Sequence, residues 1–141
     1  MVERVQAFRI YRIAVLGPES SGKTSLCNAL AAELSWKFAP EFSRKHLAEI
    51  RRPYHFQDLE FIAEKQQEYN TCDQSSVICD TEMSTLRIWS LEKFNKVAPI
   101  ISHFEVNQNF NHYLLCKPDL PWVMDPFREN PNDRERLFEL Y

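Results

Sequence analysis

Glycine is almost missing from this sequence: 141 residues hold two, Gly17 and Gly22, where ordinary usage of about 7% would place roughly ten. Turns must be made by other residues, and the two glycines mark places that need positive φ or close backbone approach. No apolar run approaches the length of a membrane span, and no charged leader followed by an apolar segment opens the chain. The net charge of −3 gives no global field to recruit nucleic acid or an anionic membrane, so an anion must be handled locally. The four cysteines, Cys27, Cys72, Cys79 and Cys116, form no C-x-x-C pair and are expected as reduced, mostly buried thiols. The four histidines have no metal-ligand spacing. Repeats and low-complexity tracts are absent. These features imply one cytoplasmic domain over residues 1–141.

The apolar pattern supplies the elements. Ile10 to Leu16 becomes continuously apolar, as a strand buried on both faces does. Lys23 to Leu34 puts Leu26, Ala29, Leu30 and Leu34 on one helical stripe ended by Ser35. Trp36–Ala39 reads as a short strand, and helical spacing resumes after Pro40 through Phe42, Leu47 and Ile50. From Phe56 onward, Leu59, Ile62, Ala63, Gln66 and Tyr69 share a helical face. Ser76–Asp80 reads as a buried strand and Glu82–Phe94 as a helix; Val97–Phe104 fits either a helix after Pro99 or a strand through Ile100 and Ile101. His112–Cys116 is the next strand, and residues 117–128 form a proline-rich loop. A last helix follows, with Asn130 as N-cap, Pro131 in its first turn, and Arg134, Leu137, Phe138 and Tyr141 on one stripe. Strands alternating with helices predict an α/β fold, a central parallel sheet with helices on both faces.

Between the first strand and helix lies Gly17-Pro18-Glu19-Ser20-Ser21-Gly22-Lys23-Thr24, the pattern G-x-x-x-x-G-K-[ST]. A phosphate chain needs closely spaced backbone N–H donors, a flexible cation and a hydroxyl to hold Mg²⁺, and this loop supplies all three. Gly17, Glu19, Ser20, Ser21, Gly22, Lys23, Thr24 and Ser25 are therefore the candidate nucleotide contacts. Lys23 should reach the β- and γ-phosphates of ATP, with Thr24 on Mg²⁺.

Right-handed crossovers bring the carboxyl ends of the strands to one edge of the sheet, and with them Glu41 and Asp80. Asp80 binds Mg²⁺, directly or through water, or accepts the substrate proton, or else caps the following helix. Glu41 either sits beside an acceptor hydroxyl or is a first-turn acid favoured by the helix dipole. Arg44 pairs with Glu41 in solvent or holds a substrate anion. Arg128, with Arg134 and Arg136, belongs either to a cationic lid over about 119–136 or to an ordinary surface helix paired with Glu129 and Glu135. Trp89 and Trp122 either stack a flat base or fill the core. A GTPase is excluded: Asn95-Lys96 runs on to Val97-Ala98 without the guanine-reading aspartate, and Met83 stands where the switch glycine after Asp80 would be.

Several of these segments together resemble a known family: Gly17 to Thr24, Glu41-Phe42-Ser43-Arg44, Phe61-Ile62-Ala63-x-x-Gln66, Asp80-Thr81-Glu82, and Pro118-Asp119-Leu120-Pro121-Trp122-Val123-x-Asp125-x-x-Arg128. The combination is similar to the ribosylnicotinamide kinase domain of NadR-type NAD-salvage proteins, from about Ile10 to the last residue. The resemblance implies a phosphate-loop kinase fold and ATP-dependent phosphorylation of the 5′-hydroxyl of nicotinamide riboside or a similar nucleoside. For such a reaction Glu41, Arg44, Asp80, Trp122 and Asp125 are the candidate acceptor contacts, and Lys23, Asp80, Glu41 and Arg128 are the candidates to carry the chemistry. Pro126 departs from the family pattern, which has glycine there; proline is expected to stiffen the hinge. The pattern also continues to a further strand and helix, whereas this sequence stops at Tyr141. A nucleotide-binding module without turnover, or an ATP hydrolase serving a macromolecule, are the alternatives.

Overall fold

The computed structural model describes residues 9–71 and 74–141; Cys72 lies outside them. In chain order the elements are β1 (Arg12–Leu16), α1 (Lys23–Leu34), β2 (Lys37–Ala39), α2 (Phe42–Ile50), α3 (Phe56–Thr71), β3 (Val77–Asp80), α4 (Met83–Phe94), α5 (Pro99–Asn107), β4 (His112–Leu115) and α6 (Arg134–Phe138). The four strands form one sheet in the order β2-β3-β1-β4, and every pairing is parallel. Ile13 lies opposite Ile78 and His112, so β1, β3 and β4 end level with one another beside the phosphate loop.

The pleat divides the strand side chains between two helical layers. Val15 and Ile78 pack with Cys27 and Ala31 of α1. Ala39, Val77 and Cys79 face Tyr69 of α3 and Phe110. The third cluster lies among helices: Phe42, Leu59, Ile62, Ala63, Met83, Leu86, Ala98 and Ile101 join α2 to α5. Leu59, Ile62, Met83, Leu86 and Ile101 are essentially inaccessible, each contributing about 2 kcal/mol on burial. That is ample to hold α3 against α2, α4 and α5 although it also buries Gln66 and Asn70.

Two expectations, the buried face of α1 and the start of α6, are corrected, and the open choice at residues 97–104 is decided for the helix. The buried positions of α1 are Cys27 and Ala31, whereas Leu26 and Leu30 are half-buried and Ala29 and Leu34 exposed. The phosphate loop fixes the rotation of α1 about its axis, and the arc it turns to the sheet carries small side chains that permit close approach. Residues 99–107 are helical: Pro99 occupies the first turn, where its fixed φ and missing N–H cost nothing, and Ile101 packs into the helical cluster. α6 starts at Arg134 rather than at Pro131, with Asp133 at its N-cap. The amides of Glu129 and Asn130 are bonded to the Glu19 carboxylate instead (3.1–3.2 Å and 3.1 Å), so the chain there follows the phosphate loop.

Scarce glycine shows at the helix ends. Ser35, Arg51 and Asn95 take left-handed φ of 54°, 51° and 54° at the C-caps of α1, α2 and α4, a position other chains usually give to glycine.

The start of α3 is held by a buried carboxylate. Asp58 accepts from the His55 amide (2.7 Å), both Arg52 guanidinium nitrogens (2.8 and 3.0 Å) and pairs with His46 Nε2 (3.0 Å). The bonds from Arg52, His55 and His46 hold its pKa well below the usual carboxylate range. Its contribution is therefore present above the unfolded carboxylate pKa of about 4 and is lost as pH falls through the lower folded value. Asp58→Ala is expected to destabilise the protein by about 3 kcal/mol at neutral pH, with the gap to the parent closing in acid. Urea unfolding at the two pH values checks both.

Candidate functional site

Both glycines meet requirements that a side chain would violate. Gly17 adopts φ +138°, and a Cβ there would sit 2.5 Å from the Cys116 carbonyl; Gly22, at φ +84°, would put one 2.9 Å from Leu120. Their absence of a side chain lets the loop pass between the ends of β1 and β4 and turn into α1. Ser20 (φ 58°) supplies the remaining left-handed turn of the loop. Ser21 Oγ and Lys23 Nζ both donate to the Pro18 carbonyl, at 2.7 and 2.8 Å.

The loop floors a cavity of about 290 Å³. Glu19, Ser20, Ser21, Lys23, Thr24 and Ser25 line it together with Glu41, Arg44 and Arg128, side chains that sequence reasoning had gathered from three separate segments. Asp80 reaches the same place from behind, its Oδ2 accepting from Thr24 Oγ1 at 2.6 Å. Trp89 lines the wall and donates its Nε1–H to Tyr54 Oη at 2.7 Å. Trp122 and Asp125 do not line it. Trp122 lies under the guanidinium groups of Arg128 and Arg134, 6.0 and 5.8 Å from the ring centroid, and Asp125 binds Arg44 Nη1 at 2.8 Å. Arg136 does not line the cavity and pairs with Glu92, which does, and with Asp133.

Neither carboxylate caps a helix. Glu41 occupies the N-cap of α2, but its side chain makes no cap bond; it accepts from Ser43 Oγ at 2.7 Å, with Arg44 Nε 3.8 Å away. The N-cap of α4 is Glu82, whose carboxylate accepts from Ser84 N and Thr85 N at 2.9 and 3.1 Å. Asp80, 1% exposed, is left for other work. Burial pushes its pKa up, against the hydrogen bond from Thr24 and the charge of Lys23. Burial likewise pulls Lys23 down, opposed by the charges of Glu41 and Asp80.

Among the described residues, the buried side-chain polar atoms without a partner are Asp80 Oδ1, Thr81 Oγ1, Thr85 Oγ1 and Arg128 Nε. Thr81, Thr85 and Arg128 line the cavity, and Asp80 is bonded to its wall. Native interiors leave few such atoms unpaired, so their convergence marks a place built for a polar ligand. The donor set also fits a hard cation: a hydroxyl and a carboxylate with one oxygen unused, at the mouth of a phosphate-binding loop.

The segment from Val123 to Arg134 folds onto the phosphate loop through main-chain amides and arginine side chains. Val123 N and Arg128 Nη1 donate to Ser20 Oγ (3.0 and 3.1 Å), Arg134 Nη1 donates to the Ser20 carbonyl (3.1 Å), and the Glu19 carboxylate takes the Glu129 and Asn130 amides. Pro126 sits in a turn closed by Arg128 N donating to Asp125 O at 3.0 Å, with Asp125 Oδ1 accepting from Phe127 N at 2.9 Å. Asp then Pro is the order such a turn favours, so the proline pre-sets the geometry that aims Arg128.

Sequence reasoning gave no role to Thr81, Gln66 or Asn70, although Gln66 and Thr81 stand in the segments that carry the family resemblance. Thr81 follows Asp80 directly at φ +91°, and nothing in its type signals that. Gln66 and Asn70, two amides one turn apart on the apolar side of α3, were the available signal.

Comparison with known proteins bears on the family and the fold. A family model described as an AAA domain matches residues 12–141. The trifunctional NAD biosynthesis/regulator proteins NadR of Salmonella typhimurium and Escherichia coli are each 25% identical over 133 residues, covering 88% of this chain and 32% of each relative. The chain thus spans about a third of the length of the curated relatives it matches. In structure it resembles a NadR protein crystallised with NR (TM-score 0.79, 21% identity, 92% of this chain and 40% of that one). It also resembles a NadR protein crystallised with NAD and AMP-PNP (TM-score 0.72, 20% identity, 92% and 39%). The fold is that of the phosphate-loop region of those proteins, and the chain belongs to the AAA domain family.

Proposed function

We propose that this chain is a small-molecule kinase that transfers the γ-phosphoryl group of ATP to a nucleoside hydroxyl, the 5′-hydroxyl of nicotinamide riboside first among the candidates. The observation that carries the reading is the meeting of the phosphate loop, Glu41, the Thr24–Asp80 pair and Arg128 at one cavity with unpaired polar atoms on its wall. The likeness to NadR proteins supports the choice of acceptor.

In this mechanism the loop amides and Lys23 cradle the β- and γ-phosphates. Thr24 Oγ1 and Asp80 are the groups to hold Mg²⁺, which supplies charge neutralisation on the phosphate oxygens. Glu41 or Asp80 takes the acceptor proton as the hydroxyl oxygen bonds to the γ-phosphorus, and the bond to the bridging oxygen breaks to release ADP. Arg128 faces the charge that develops in the transfer, and the lid over the loop excludes water from it.

An acceptor panel tests this. ADP release is expected to rise at least tenfold with one nucleoside. Nucleotide binding with no acceptor-dependent ADP would favour a non-catalytic binding module, and stimulation by a macromolecule alone would favour a hydrolase.

A further inference from the structure

The sheet itself does not hold Glu41 and Asp80 at their spacing. The β2–β3 ladder ends on the pair Ala39 and Cys79. Beyond it the two backbones continue separately, one into Pro40 and Glu41, the other into Asp80 and Thr81.

Two side chains of α3 fill the gap. Gln66 and Asn70 are 0% and 3% exposed, and each finds partners on both its amide oxygen and its amide nitrogen. Gln66 Oε1 accepts from Phe42 N at 2.9 Å, an amide at the start of α2 that has no intrahelical partner. Gln66 Nε2 donates to the Pro40 carbonyl (3.1 Å) and to Asn70 Oδ1 (3.0 Å). Asn70 Nδ2 in turn donates to the Thr81 carbonyl at 3.1 Å. The bonds brace both sides of Glu41 and the residue after Asp80. Gln66 satisfies the first amide of α2, and the Glu41 carboxylate, which makes no cap bond, lines the cavity. Thr81 needs the brace most, since φ +91° is a conformation that a β-branched residue resists.

We propose that Gln66 and Asn70 are positioning residues, holding the Glu41 loop and the Asp80–Thr81 loop at one fixed spacing across the acceptor site. The proposal rests on the phosphoryl-transfer reading for its kinetic consequence and on geometry alone for its structural one. It assigns a role to polar groups that would otherwise be an expensive way to fill a core that leucine could fill.

Gln66→Met keeps the volume and removes every bond; Asn70→Ser is the milder variant should that chain fail to fold. Ser90→Ala is the control, because Ser90 Oγ donates to the Lys96 carbonyl (2.6 Å), outside the site. With the acceptor identified by the panel, Gln66→Met is expected to lower kcat about tenfold or more while the Kd for MgATP stays within about twofold. In a Glu41→Gln background the same change should cost less than about twofold, since it acts through Glu41. Ser90→Ala should lower the melting temperature without touching kcat. Unchanged kcat, or losses that simply multiply in the double variant, would overturn the proposal. Amide hydrogen exchange supplies a second readout that needs no turnover: both α3 variants should speed exchange at residues 42–44 and 80–82 and leave β1 unchanged. Unaltered exchange in either segment overturns the bridge. A parent protein without acceptor-dependent ADP overturns the kinase reading, and the exchange result then decides the bridge by itself.

Discussion

Lys23→Ala is expected to lower kcat for phosphoryl transfer by about 10²–10³-fold, the usual cost of removing one preorganised charge from a transition state, with the fold retained. Lys23 Nζ is anchored on the Pro18 carbonyl at 2.8 Å and belongs to the cavity wall, so the side chain is already in place before a phosphate arrives. Burial makes the ammonium harder to keep charged, and the negative charges of Glu41 and Asp80 offset part of that. The lysine must be protonated to act, and its depressed pKa brings the alkaline loss of activity below the ordinary lysine range of about 10.4. Steady-state kinetics against pH, with thermal melting to verify folding, provide the check. A variant as active as its parent would remove the phosphate loop from the mechanism.

The second large effect has two opposite signs. Asp80→Asn is expected to reduce kcat by about 10²-fold and to stabilise the ligand-free protein by about 1–2 kcal/mol. The side chain is 1% exposed, with Oδ1 unpaired, and burial raises its pKa. A carboxylate whose folded pKa is raised contributes stability that is fully present below its unfolded pKa and is lost as pH rises through the folded value. At neutral pH the ionised group therefore weighs against folding, and asparagine removes the charge while retaining an oxygen for Thr24. The advantage of the variant should shrink as pH falls toward and below about 4, where the parent becomes protonated in both states. Urea unfolding across that range tests the sign. A less stable Asp80→Asn protein at neutral pH would mean that the charge is compensated, by Lys23 or Thr24, more fully than the geometry indicates.

The parts of this fold that could be read in advance are those whose requirements are local. A loop that must present amides, a lysine and a hydroxyl within eight consecutive residues leaves its pattern in the sequence, and strands buried on both faces leave continuous apolar runs. The face of α1 was misread because leucines at 26, 30 and 34 make the more hydrophobic arc, while the sheet selects Cys27 and Ala31 for size. The start of α6 was misplaced for a different reason. Asn130 and Pro131 have good capping chemistry, yet Glu19, more than a hundred residues earlier, takes the Asn130 amide. Thr81 is the limiting case, since its left-handed backbone comes from bonds to Val15 and Asn70 and not from its own preference.

The contact between Glu19 and the 129–130 segment also bears on how such a sequence can drift. Its acceptor is one carboxylate, but its donors are the peptide groups of Glu129 and Asn130, which every residue except proline possesses. Those two positions are therefore free to change identity without loosening that contact, whereas Glu19 is not. Relatives that keep this closure should vary at 129 and 130 and hold an acidic residue at 19.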